Sequence, residues 1–151
     1  MGMRLEIRDQ LFNARLAQAT ATGLKRAAIF YHARCRAAVN VPNTGTRVGG
    51  GRNARGQFLK QRTVYDNPSQ PGEPPRKRTS HGQRGIIWEY NGDQRDPAVR
   101  IGVQQNAIYM AYLELGTRHI QPRPWLLATL HRHQAMIARL AATGGRGEIG
   151  R

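Results

Sequence analysis

Two stretches of this chain have almost nothing to bury, and they limit every fold open to it. Residues 42–57, "PNTGTRVGGGRNARGQ", hold five glycines and three arginines. Residues 66–85, "DNPSQPGEPPRKRTSHGQRG", hold four prolines and the basic run Arg76, Lys77 and Arg78. Segments so poor in apolar side chains cannot offset their ordering entropy with buried area, so 42–57 and 66–84 read as extended basic loops. The core must come from the flanking segments. In 151 residues there is room for one domain, here 1–142, with 143–151 as a C-terminal tail.

The flanks carry clear periodicities. "MRLEIR" (3–8) alternates apolar and charged residues and predicts a short strand. Asp9 is then placed to cap a helix, and Ala17, Leu24, Ala28, Tyr31, Cys35 and Ala38 draw one apolar stripe that ends near Asn40. Much of that stripe is Ala, which allows close backbone approach but buries little area, as suits packing on a sheet or a neighbouring subunit. "FLKQRTVY" (58–65), "IIWEY" (86–90), "AVRIGV" (98–103) and "AIYMAYLEL" (107–115) are β-rich runs, the last three reading as an antiparallel meander. Pro124 suits the first turn of a helix, and Trp125, Leu126, Leu130, Gln134, Ile137 and Ala141 follow at helical spacing to about residue 142. This order is α+β: a small antiparallel sheet of three to five strands, with a long N-terminal helix and a C-terminal helix packed on it.

Chemistry is sparse. His131 and His133 point about 200° apart on a helix with no acid in it, which makes a poor metal site. A single cysteine, Cys35, leaves no internal disulfide and no Cys-based zinc site, and is expected to be a buried helix thiol. "GGGRNARG" lacks the Lys-Ser or Lys-Thr ending of a phosphate loop. The few carboxylates are scattered, so paired acid–base or two-metal chemistry has too few ligands. The expectation is no enzyme, no catalytic, cofactor or metal residues, and no cofactor. No apolar run reaches the roughly 18 residues of a membrane span, and the N-terminus lacks a signal-peptide core, so a soluble, intracellularly made protein without a membrane partner is expected.

What remains is charge. Lys and Arg number 24 against 9 Asp and Glu, a formal net charge of +15. Nine of the cations fall between 41 and 86: Arg47, Arg52, Arg55, Lys60, Arg62, Arg76, Lys77, Arg78 and Arg84, against two acids in the same span. Arginine pairs with phosphate and carboxylate alike, so DNA backbone or acidic protein faces are the natural partners. Aromatics do not interleave with these residues as in base-stacking modules, which argues against sequence-specific readout.

One segment carries more than charge. In "AIYMAYLELGTRHIQPRPWLLATL", Tyr109 with Ala111 and Tyr112 leads into Glu114-Leu115-Gly116-Thr117, and a short loop brings Arg123-Pro124-Trp125-Leu126 to the start of the last helix. This resembles the signature of the tail-completion, or neck, proteins of long-tailed bacteriophages, of the lambda minor tail protein Z type. "PGEPPRKRTSHGQRGI" (71–86) is similar to that family's Pro-Pro, Arg-Thr-Gly and Leu-Arg-x-Ser-Ile stretch, with Thr79, Arg84 and Ile86 in register, and "VPNTGTRV" (41–48) looks like its Pro-x-x-Thr-Gly element. Leu115 stands where that family has an aromatic, Ser80 where Gly is common, and 49–75 is longer. The likeness covers roughly residues 75–140.

The resemblance implies a structural virion protein of the phage neck, assembled in the bacterial host cytoplasm. It implies a homo-oligomeric ring of six or twelve subunits around double-stranded DNA, which passes without sequence-specific contact. Its neighbours would be head-completion or stopper proteins, tail terminators or tail-tube proteins. The nine basic residues are the candidates for DNA-channel or partner contact. The motif residues Tyr109, Ala111, Tyr112, Glu114, Gly116, Thr117, Arg123, Pro124 and Trp125 have a structural role. The Glu114 carboxylate is expected to accept hydrogen bonds from loop N–H groups or from Arg123, and Gly116 to supply a positive φ or a close approach. A small basic RNA- or DNA-binding module of ribosomal-protein type is the alternative that length and charge also permit.

Overall fold

The computed structural model describes residues 10–92 and 97–143, with side chains of the first helix described from Gln18 onward. The elements are helix α1 (Gln10–Ala38), strands β1 (Gly45–Val48) and β2 (Arg62–Tyr65), and a short helix α2 (His81–Arg84). Strands β3 (Ile86–Tyr90) and β4 (Val99–Val103) follow, then a single 3-10 turn (Gln105–Ala107), helix α3 (Tyr109–Leu115) and helix α4 (Leu126–Thr143). The architecture is α+β, with a long N-terminal helix, a C-terminal helix and antiparallel strands. The expected first strand (3–8), the Asp9 cap and nearly all of the 143–151 tail lie outside the described residues.

Several local expectations change, among them the loop expected at 66–84, whose end His81–Arg84 is the helix α2. The strand expected at 107–115 is helical. Ala107 and Met110 are buried while Tyr109, Tyr112 and Leu115 are exposed, a spacing of about three that only a helical run can sort into an inner and an outer side. The tyrosines and Ile108 favour a strand in isolation; Ala, Met, Leu and Glu favour a helix. Without that third strand there is no meander, and the four strands form two sheets of two, β1–β2 and β3–β4. The stretch 42–57 is not wholly a loop, because β1 lies inside it. Antiparallel pairing saturates backbone N–H and C=O groups whatever the side chains are, so a glycine- and arginine-rich segment forms a ribbon with β2 in the register Gly45↔Tyr65 to Val48↔Arg62. Only 62–65 of the expected 58–65 strand is regular, and α4 begins at Leu126, after Pro124.

The described chain divides into two compact units. The first comprises 10–33, 87–92, 97–102 and 130–143. Its buried helix positions are Ala19, Gly23, Ala27 and Ala28, the small residues that let another backbone come close. Phe30 of α1 meets His133 of α4 edge to face, with ring centroids 5.7 Å apart. Lys25 lies 4.9 Å above the Tyr90 ring of β3. Asn91 closes the β3–β4 hairpin, its N–H donating to Ala98 O at 3.1 Å and its Oδ1 accepting from Ala98 N–H at 2.9 Å.

The second unit comprises 34–86 and 103–129. Its core is Cys35, Val39, Ile86, Ala107, Met110 and Trp125. Gly85 accepts from the Gln104 N–H at 2.8 Å, and a Cβ there would stand 2.2 Å from Ala107 Cβ. That approach seats the 3-10 turn and α3 on the end of α2. All eighteen candidate residues belong to this unit.

Candidate functional site

The segment from α3 to the start of α4 is built around one carboxylate. Glu114 stands in the last turn of α3, and Gly116, just beyond it, ends the helix with φ 77° and ψ 171°. Gly116 donates to Tyr112 O at 2.9 Å. The chain then reverses through a tight loop. Thr117 N–H donates to Ile120 O at 2.8 Å, and Thr117 Oγ1 accepts from Ile120 N–H at 3.2 Å and from His119 N–H at 3.3 Å. Arg123 N–H donates back to Leu113 O at 2.6 Å, so segment 121–124 returns alongside α3.

That return brings the N-terminus of α4 onto Glu114. Its Oε2 accepts from Trp125 N–H at 2.6 Å and Leu126 N–H at 2.8 Å, and its Oε1 from Leu127 N–H at 2.9 Å. Three of the N–H groups that open a helix without intrahelical partners are thus satisfied by one anion on the positive end of the helix dipole. Pro124 precedes them and has no N–H to leave unsatisfied. Trp125 is 1% exposed; its Nε1–H donates to Met110 O at 3.0 Å, and its own carbonyl accepts from Thr129 Oγ1 at 2.6 Å. Arg123 does not pair with Glu114: its guanidinium donates to Ser69 O and Oγ. Ala111 is half-buried on α3, whereas Tyr109 and Tyr112 are exposed.

The nine basic candidates fall into two groups. Arg47 and Arg62 lie on the β1–β2 ribbon, and Arg52, Arg55 and Lys60 on the loop between its strands. Arg47 pairs with Thr63 and Arg62 with Val48, so the two arginines sit at neighbouring pair positions and point to opposite faces of the ribbon. Arg52 stacks on Phe58 at 4.6 Å. Arg55 N–H donates to Asn53 Oδ1 at 3.0 Å. This group is a cationic arm rather than a single basic face.

Three of the four residues of the second group line a cavity of about 610 Å³. Arg76, Lys77 and Arg78 are on its wall; Arg84, on α2, is not. Lys77 is fixed by the backbone, its N–H donating to Val41 O at 2.7 Å and its carbonyl accepting from Asn43 N–H at 2.9 Å. Arg123, assigned from the sequence only to the motif, joins this wall, as do Tyr65 and Tyr109. No linear pattern signalled that, because Arg123 and Ser69 are 54 positions apart.

Among the described residues no three His, Cys, Asp or Glu side chains gather as a metal site, and no helix is long and apolar enough to cross a membrane. Compared with protein-family models, curated proteins and solved structures, the chain matches none.

Proposed function

We propose that this protein is a structural subunit of a phage neck, a tail-completion protein that forms a ring around the DNA channel and joins head to tail. The resemblance of the 107–130 segment supplies the class. The observation that carries the reading is the outer side of α3, where Ile108, Tyr112 and Leu115 recur at helical spacing and are 40%, 53% and 77% exposed. An apolar helix side left exposed in this way is covered by another chain in an assembled protein. The same short segment fixes its own backbone through Glu114, so the surface is presented rigidly and at little ordering cost on association.

The β1–β2 arm supports the same reading. It carries five of the basic candidates, with Phe58 80% and Leu59 half exposed on the connecting loop. In a ring, such arms reach a neighbour or the lumen, and their arginines act on DNA by charge alone, since duplex must slide past. Negative-stain images and sedimentation of the purified protein, alone and with its head and tail partners, test the proposal. Rings of six or twelve subunits are expected; a monomer that persists in the presence of those partners overturns it.

A further inference from the structure

The cavity in the second unit is positively charged in a way that its own residues do not balance. Its lining includes Arg76, Lys77, Arg78 and Arg123 and no Asp or Glu. Three of these cations are held by neutral groups. Lys77 Nζ donates to Asn40 Oδ1 at 2.8 Å, Arg78 lies 4.2 Å above the Tyr65 ring, and Arg123 donates to Ser69. Arg76 alone meets an acid, Glu73, at 3.8 Å, and Glu73 is half exposed. Cations oriented by neutral partners in a partly enclosed site retain their attraction for an anion and need little rearrangement to receive one.

Two further observations narrow the ligand. Arg76 Nε, a donor, and Asn43 Oδ1, an acceptor, are buried without a hydrogen-bond partner, and both residues line this cavity. Both atoms are closed off from the cavity itself, so a small turn of the Arg76 or Asn43 side chain brings them to a ligand that offers both an acceptor and a donor. A phosphate or a free carboxylate offers acceptors only, whereas a peptide brings N–H and C=O groups together. Met110, Leu113 and Ile120 add apolar wall, which a peptide side chain fills and an inorganic anion does not. Nucleic-acid bases are less favoured, because Arg78 already covers one face of Tyr65 and the His81 ring lies parallel to one face of Tyr109, centroids 6.4 Å apart.

We propose that this cavity is the receptor for an acidic, extended segment of a different protein, with a carboxylate among Arg76, Lys77 and Arg123 and an apolar side chain against Met110 and Ile120. A second copy of this chain is a poor donor, because it carries a net charge of +15 and its nine acids stand singly, most of them within three residues of an arginine. The inference is independent of ring formation: the receptor chemistry is the same whether the chain works as a ring or alone.

The test is fluorescence anisotropy with a labelled peptide alternating Glu and Leu, at physiological ionic strength, against its Gln–Leu counterpart. Binding of the acidic peptide is expected to weaken about tenfold or more in Lys77→Met, as for loss of one member of a desolvated charge pair. It should weaken likewise in Thr79→Trp, which obstructs the cavity from an exposed position without removing charge. The double variant Arg47→Ala/Arg55→Ala removes more charge, but from the arm, and should bind within about twofold of the parent. Circular dichroism melts identify any variant that fails to fold, in which case the other cavity variant decides. Equal binding of the Gln–Leu peptide, or equal loss in the arm and cavity variants, overturns the proposal. Displacement of the peptide by an equal concentration of AMP or of a short DNA duplex assigns the cavity to phosphate and also overturns it.

Discussion

Glu114 caps the helix that Trp125 introduces: its two oxygens take the N–H groups of Trp125, Leu126 and Leu127 at 2.6 to 2.9 Å. The acid lies 11 residues before the tryptophan, so this is a cap supplied from another helix rather than from the residue beside the terminus, and it ties α3 to α4. Replacing Glu114 with Ala leaves three amide donors without their acceptor. A loss of about 1–3 kcal/mol is expected in chemical denaturation. Glu114→Gln, which keeps one acceptor oxygen but no charge, should fall between parent and Ala. Equal stability of all three would show that water serves the helix end as well.

Gly116 holds φ 77° and ψ 171°, a region that side chains exclude. A Cβ there would meet Pro122 Cδ at 3.0 Å and Ile120 O at 3.1 Å. Gly116→Ala is expected to lower stability by about 1–3 kcal/mol. Because the loop aims the Trp125 and Leu126 N–H groups at Glu114, the effects of Gly116→Ala and Glu114→Ala should be less than additive in a double-mutant cycle.

Trp125→Phe preserves most of the buried ring but removes the donor to Met110 O. The expected loss is about 0.5–1.5 kcal/mol from the missing hydrogen bond, since Met110 O lies within α3. Trp125→Ala should cost about 3–5 kcal/mol through the cavity it leaves. A thermal melt of each variant separates the two effects.

Leu115 projects into solvent, so Leu115→Ser should change the stability of the isolated chain by no more than about 0.5 kcal/mol. Ring formation is expected to be lost in the same variant, as read by sedimentation. Normal rings from Leu115→Ser would remove the outer side of α3 from the interface.

The two basic groups should separate in an infectivity assay. Replacing Arg47, Arg52 and Arg55 with Ala is expected to impair DNA retention while joined particles still form. Replacing Arg76, Lys77 and Arg78 is expected to leave heads and tails apart. If both triple variants give joined, infectious particles that retain their DNA, the basic residues serve only solvation.

The sequence by itself determined the α+β class, the long Ala-rich α1, the β3–β4 hairpin and the reach of α4, because each is set by periodicity within one segment. It also marked the α3–α4 motif as a unit, through Glu114, Gly116 and Pro124, without showing what the carboxylate holds. Tertiary structure decided the rest. The run 107–115 has mixed propensity, and becomes a helix where Ala107 meets the bare backbone of Gly85 and Met110 meets the indole of Trp125. The β1 strand was hidden because its pairing is carried by backbone amides, which composition does not report. Arg123 joined Ser69 rather than Glu114, and the cavity gathered Asn43, Tyr65, Lys77 and Tyr109. Contacts between such distant positions depend on how loops close in space, and a linear pattern of residue types carries no information about that closure.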